Sequence, residues 1–210
     1  MIFRSVAALV LAAGALILLG GLALLGRAPG LPPAVRHLRT EKDRGQAPAH
    51  VEPFALAGFQ ALPHFRALRD YAGDEERGIV VEGWVQRMLL SGDGDYHLEV
   101  VFSPRRPGGP DTAYAVAEVT PRWRAGAPAW SYDSLLVAFR PNRGGATAWD
   151  AGPRRVRLTG WLLYDFPYDK PPSSWSLEHG APRVSGWELH PVTRIELWDP
   201  ARAAWDEVRR

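Results

Sequence analysis

The chain of 210 residues contains no cysteine. This absence excludes disulfide bonds, zinc sites built from thiolates and a lipid-modified N-terminal cysteine. Any metal site must therefore use histidine and carboxylate ligands, and the chain has 6 histidines. The sequence also lacks a Gly-x-Ser-x-Gly motif, so no motif supports Ser-His-Asp chemistry. The turn Asp93-Gly94-Asp95 is too short for an EF-hand loop and is read as a hairpin turn.

The chain also has little net charge and almost no lysine. Its formal net charge is +2, and of the 25 basic residues only Lys42 and Lys170 are lysines. The isoelectric point of about 9.1 therefore reflects a preference for arginine rather than a strongly basic surface. This composition argues against nucleic acid as a partner.

One long uncharged segment runs from Ser5 to Gly26. As a helix of about 22 residues it would be about 33 Å long, which matches the hydrocarbon core of a bilayer. Residues 1–27 are predicted to form an uncleaved transmembrane signal anchor, with a cleaved signal peptide as the alternative. We expect the C-terminal domain to face the periplasm or the cell exterior, although basic residues flank the segment mainly on its C-terminal side.

Residues 28–76 are predicted to form a proline-rich tether followed by a short helical lid. Between residues 28 and 53, prolines alternate with charges and no apolar periodicity occurs, which indicates semi-extended chain. After Pro63, residues 64–71 are expected to form a short helix that buries Phe65 and Leu68 against one end of the domain.

Residues 77–199 contain five segments with the two-residue periodicity of β-strands. These segments are residues 79–88, 96–102, 113–120, 155–165 and 186–198. The second segment is expected to direct Tyr96, Leu98, Val100 and Phe102 inward. Glycines within the first and fourth segments, Gly83 and Gly160, indicate a bulge or bend. Ser131 is expected to cap a helix that extends to Phe139, between the third and fourth strands.

The last strand has one apolar and one charged face. The apolar face consists of Trp187, Leu189, Pro191, Ile195 and Leu197, and the charged face of Glu188, His190, Arg194 and Glu196. We expect the apolar face to cover the core and the charged face to contact water.

Five strands, one helix and no parallel βαβ pattern predict a mostly β fold. The expected architecture is a five-stranded OB-fold-like Greek-key barrel formed by residues 77–199, with one short helix between strands 3 and 4. A bent β-sandwich is the alternative. We expect the first three strands to pair in order and the fifth strand to pair with the first. Residues 200–210 are predicted to form a charged tail.

Four short motifs resemble a family of bacterial exported proteins with an OB-like domain. They are Asp95-Tyr96-His97, Glu118-Val119-Thr120-Pro121-Arg122, Gly160-Trp161-Leu162-Leu163-Tyr164-Asp165 and Trp187-Glu188-Leu189-His190-Pro191-Val192-Thr193. The resemblance covers residues 79–198. It implies the barrel fold and an exported location but no particular activity.

Strand alternation indicates five candidate ligand-binding residues on the non-core faces or at strand ends: His97, Glu118, Asp165, Glu188 and His190. Four of them, His97, Asp165, Glu188 and His190, could hold a divalent cation that activates water. The alternative is a structural network in which Glu188 and His190 satisfy backbone groups at the barrel mouth. No catalytic residue and no definite cofactor are assigned.

The sequence therefore predicts a membrane-anchored binding or interaction module with a protein, peptide or glycan partner. Trp84, Trp161, Trp175 and Trp187 are candidates for stacking on such a ligand, although packing anchors are the simpler reading of most of them. The alternative functions are a metal-dependent hydrolase and a scaffold subunit of an envelope complex.

Overall fold

A computed structural model describes residues 31–104, 112–139, 154–169 and 183–210. The predicted transmembrane anchor and Trp175 lie outside these ranges. Within them, no helix is both long and apolar enough to cross a membrane. The chain divides into two units, residues 1–36 and 37–210. Helix α1 begins in the first unit, and the other described helices and strands belong to the second.

The described chain consists mainly of strands with a few short helices. The strands are β1 (Glu52–Pro53), β2 (Gly78–Leu90), β3 (Tyr96–Val101), β4 (Tyr114–Val119), β5 (Arg155–Tyr164), β6 (Arg183–Asp199) and β7 (Ala204–Glu207). The α-helices are α1 (Pro33–Lys42), α2 (Gly58–Ala61), α3 (Ala72–Glu75), α4 (Pro121–Arg124) and α5 (Tyr132–Phe139). Short 3₁₀ helices cover Leu68–Tyr71, Pro128–Trp130 and Phe166–Tyr168.

Five of the strands form a closed ring. Strand β2 pairs with β3 and β5, β3 with β4, β4 with β6, and β6 with β5. All these pairs are antiparallel except β4 with β6, which is parallel. The prediction that the fifth strand pairs with the first is wrong. In the ring, β3 and β5 lie on the two edges of β2. The fifth strand, β6, therefore lies between β4 and β5 instead.

The core lies inside this ring and confirms the inward prediction for four of the five apolar residues of the last strand. Trp187, Leu189, Ile195 and Leu197 are all buried. In the second strand the inward prediction fails for Phe102, which is 57% exposed, because β3 ends one residue earlier at Val101. The predicted helix α5 is confirmed, and its Ser134 amide donates to the Ser131 hydroxyl at 3.3 Å.

The two strand glycines have different roles. At Gly160 a side chain would collide with the carbonyl oxygen of Pro191, and the pairing of β5 with β6 shifts register on both sides of this residue. Gly160 therefore permits the predicted bend. At Gly83 a Cβ atom would lie 2.7 Å from the Val101 oxygen, so this glycine permits close packing, while the bulge of β2 falls between Val85 and Arg87.

The segment before the barrel is more ordered than predicted. Residues 33–42 form helix α1 rather than semi-extended chain. Beyond this helix, the carbonyl oxygens of Arg44 and Gln46 each accept a 2.8 Å hydrogen bond, from the indole nitrogens of Trp123 and Trp161 respectively. Trp123 of helix α4 and Trp161 of strand β5 therefore hold this segment against the barrel.

The lid and the C-terminal tail also differ from expectation. The expected helix at residues 64–71 is limited to the 3₁₀ turn from Leu68 to Tyr71. Phe65 precedes this turn and has a backbone φ angle of 54°. Its side chain is 66% exposed, so its predicted burial is wrong. In the tail, β7 pairs with β6, because its backbone extends the ladder of the long last strand.

Candidate functional site

The five predicted site residues come together at one end of the barrel. His97 on β3 and Glu118 on β4 are direct partners in the antiparallel ladder. The parallel pairing of β4 with β6 aligns Val116 with Glu188, and two residues further along both strands it brings Glu118 close to His190. Sequence alternation alone could not supply this second contact, because it depends on which strand lies beside β4.

His190 lies at the centre of this cluster and is 0% exposed. Its Nδ1 atom is 3.0 Å from Oε2 of Glu118 and 3.0 Å from Oε1 of Glu188. The other carboxylate oxygen of Glu118, Oε1, is 3.0 Å from Nδ1 of His97. Glu188 is also fully buried, so the prediction that the charged face of the last strand contacts water is wrong for Glu188 and His190. Side chains of other elements lie over this face instead of water, including that of Lys42 from helix α1.

Two cations that the sequence did not indicate complete the cluster. Lys42, near the end of helix α1, places its Nζ atom 2.7 Å from Oδ2 of Asp165 and 3.8 Å from Oε1 of Glu188. Arg183 donates from Nη2 to Oε2 of Glu188 at 2.9 Å. Lys42 lies in the segment predicted as a tether, which explains why strand alternation could not identify it.

These contacts set the protonation of the cluster. Burial by itself would lower the pKa of His190, but the hydrogen bonds with Glu118 and Glu188 outweigh it and raise that pKa to about 10. Burial would raise the pKa of Glu118, yet its hydrogen bonds with His190 and His97 hold it well below the usual range. Without a bound cation, His190 is thus an imidazolium between two carboxylates.

Asp95 is a third carboxylate beside His190 and was part of a sequence motif but not of the predicted site. Its Oδ2 atom is 3.5 Å from Nε2 of His190. Burial, together with the nearby charge of Glu118, raises the pKa of Asp95 to about 7. Asp95, Glu118 and His190 offer one ligand atom each within 4.8 Å of one another. This geometric trio differs from the predicted metal ligands, since Asp165 and Glu188 pair with Lys42 and Arg183.

The cluster is built for internal pairing more than for access to a substrate. Within the described ranges, the carboxylates of Glu118, Asp165 and Glu188 accept hydrogen bonds from histidine, lysine and arginine side chains. Asp95, Glu118, Glu188 and His190 are all buried. A hydrolytic reaction needs substrate and water at the reacting group, and these side chains offer little surface to either.

A separate groove of about 930 Å³ lies on the outside of the barrel. Its apolar surface includes Val51, Phe54, Val80 and Phe102. Its charged side chains are Glu82, Arg157, Arg194 and Glu196. The charges pair with one another: Arg157 lies 2.8 Å from Glu82 and Arg194 lies 3.0 Å from Glu196. The groove is therefore an open, partly apolar surface without a dominant sign of charge.

Two of the four predicted stacking tryptophans make hydrogen bonds that fix them within the structure. Trp187 is fully buried, and its indole nitrogen donates to the Pro63 oxygen at 2.8 Å. Trp161 donates to the Gln46 oxygen and carries the Arg44 guanidinium 4.6 Å from its ring centre. Both side chains serve as packing anchors.

No protein-family model and no curated protein sequence matches the chain. Among solved structures, two OBodies bound to hen egg-white lysozyme resemble it. One is 16% identical with a TM-score of 0.30, and the match covers 60% of this chain and 86% of the OBody. The other is 19% identical with a TM-score of 0.28, covering 56% and 76% respectively. Similarity at this level does not indicate a shared function.

Proposed function

We propose that this protein is a membrane-anchored, extracytoplasmic OB-like module that binds a peptide segment of a protein partner. The fold assignment is supported by the order of the strands. Numbered along the ring from β2, the five strands follow the order 1-2-3-5-4, and helix α5 lies between strands 3 and 4. This arrangement supports the assignment to the OB-fold, whose members include proteins that bind oligonucleotides and oligosaccharides.

The observation that carries the binding function is the groove. It is open and partly apolar, and Phe102 and Val51 are exposed beside it. The His-carboxylate cluster, by contrast, is buried and internally paired, which disfavours hydrolysis. A concave surface with exposed apolar side chains and a charged rim is typical of a recognition site.

The chemistry of the groove favours a peptide over other ligands. Its rim has two arginines and two glutamates, so a polyanion such as nucleic acid would gain little from it. Its exposed aromatic residue, Phe102, offers apolar area and no polar group, whereas glycans require hydrogen-bonding partners. Apolar side chains flanked by charges of both signs suit a mixed protein segment.

The proposed location at the membrane rests on the sequence. Ser5 to Gly26 is uncharged and long enough to span a bilayer. We infer that this segment is an uncleaved anchor and that the barrel lies on the outer side of the cytoplasmic membrane. A peptide ligand then belongs to another envelope protein.

A selection from a random peptide library tests the binding function. The full-length protein in detergent is immobilised, and enriched peptides are measured by fluorescence polarisation. Phe102→Ser should weaken their binding by about tenfold or more, since one buried aromatic anchor contributes at least about 1.4 kcal/mol. The matched control is Leu90→Ser, because Leu90 is similarly exposed at 64% but is not among the groove residues.

Enriched peptides that bind wild type and Phe102→Ser equally well would place binding elsewhere. A selection that yields no peptide above background would contradict the peptide proposal, and binding to a glycan array that Phe102→Ser reduces would reassign the groove to sugars.

A further inference from the structure

The buried cluster contains one polar atom whose bonding is incomplete. Nε2 of His190 has no hydrogen-bond partner among the residues that the structure describes. It points toward Oδ2 of Asp95 across 3.5 Å, and both residues are buried. A buried donor without a partner is costly. An imidazolium form of His190 leaves this cost in place, because its Nε2 proton has no acceptor within bonding distance.

The opposite side of the same imidazole is fully engaged. Nδ1 of His190 lies 3.0 Å from a carboxylate oxygen of Glu118 and 3.0 Å from one of Glu188, and Glu188 is held in turn by Arg183. Histidines that bind metals generally donate their other ring N–H to a carboxylate, which fixes the ring and directs the free nitrogen at the metal. With the proton on Nδ1, Nε2 presents a lone pair toward Asp95.

A cation beside this nitrogen removes the cost. Coordination by Nε2 of His190 gives the buried atom a partner, and the carboxylate of Asp95 lies on the same side of the ring.

We propose that Asp95, Glu118 and His190 bind one divalent transition-metal cation of the zinc type in the buried cluster at this end of the barrel. One imidazole nitrogen and two carboxylate oxygens form a donor set that suits zinc and its first-row neighbours. Their ligand atoms lie within 4.8 Å of one another, so small rotations of the side chains bring all three to the zinc distance of about 2.0 to 2.2 Å. The ion would link β4 and β6 to the hairpin turn before β3 and would stabilise the barrel independently of the groove.

Zinc is the probe that tests this proposal. The full-length protein is purified in detergent, stripped with EDTA and titrated with zinc, using a chromophoric chelator as competitor. We expect about one equivalent of zinc per chain and a rise in the thermal unfolding midpoint when zinc is added.

The informative variant is Asp95→Asn, which keeps the size of the side chain but removes an anionic ligand. Loss of an outer-sphere partner alone weakens metal sites by about 10- to 100-fold, so loss of this ligand should weaken zinc binding by about 100-fold or more. Circular dichroism verifies that the variant is folded.

The matched control is Asp93→Asn in the same turn. Asp93 is exposed, and its Oδ1 atom accepts a hydrogen bond from the Asp95 amide at 3.3 Å, which asparagine can retain. Zinc binding should be unchanged in this control.

Two results would overturn the proposal. One is less than about 0.1 equivalent of zinc with no change in the unfolding midpoint, repeated with Mn²⁺ and Fe²⁺. The other is zinc binding by Asp95→Asn as tight as that of the wild type. Neither result bears on the peptide groove, so the two proposals fail separately.

Discussion

Replacing His190 with glutamine should destabilise the barrel strongly even when no metal is present. His190 is 0% exposed, and its Nδ1 atom contacts Glu118 and Glu188 at 3.0 Å each. Removing one partner of a buried ion pair costs about 3 to 5 kcal/mol, because the remaining charges stay buried. A glutamine amide can still donate to one of the two carboxylates, which recovers about 1 kcal/mol. The expected net loss is about 2 to 4 kcal/mol.

Urea unfolding measures this loss. The wild type and His190→Gln are unfolded in the presence of EDTA, so that a bound cation does not contribute to the difference. Circular dichroism and tryptophan fluorescence should report the same transition, and the midpoint should shift with little change in slope.

His97→Gln is the matched control within the cluster. The His97 side chain is 18% exposed and contacts one carboxylate, that of Glu118. Partial contact with solvent weakens such a pair, so this variant should lose about 1 kcal/mol or less. Similar losses for both histidines, or a loss below about 0.5 kcal/mol for His190→Gln, would refute the view that buried charge pairing stabilises this end of the barrel.

Two further outcomes are expected. In urea unfolding, Leu189→Ala should lower the free energy of unfolding by about 2 to 5 kcal/mol, because Leu189 is buried inside a closed ring that cannot collapse around the cavity. Arg194→Ala should lower it by less than about 1 kcal/mol, since the Arg194 side chain is 50% exposed. Equal losses would mean that the assigned orientations are incorrect. A reporter fused after Arg210 should be active outside the cytoplasm and stay in the membrane fraction at full length; a cytoplasmic signal would exclude export, and a shorter soluble product would indicate cleavage.

Local periodicity determined the strands and their core faces. The alternation around Leu189 and Ile195 predicted which side chains enter the core, because a pleated strand directs successive residues to opposite sides regardless of its neighbours. The helix after Ser131 and the bend at Gly160 were predictable for the same reason: capping chemistry and the lack of a Cβ atom act within a few residues. Strand ends were less certain, as Phe102 illustrates.

The environment of the polar faces was decided only by the tertiary structure. Alternation showed that Glu188 and His190 point away from the core, but it could not show that side chains such as Lys42 lie over them, because that coverage depends on contacts between distant segments. Lys42, which precedes the barrel, and Asp95, which lies in a hairpin turn, also reach the cluster only through contacts between distant segments. Whether a charged face meets water or a second layer of protein depends on long-range contacts, which no local sequence pattern contains.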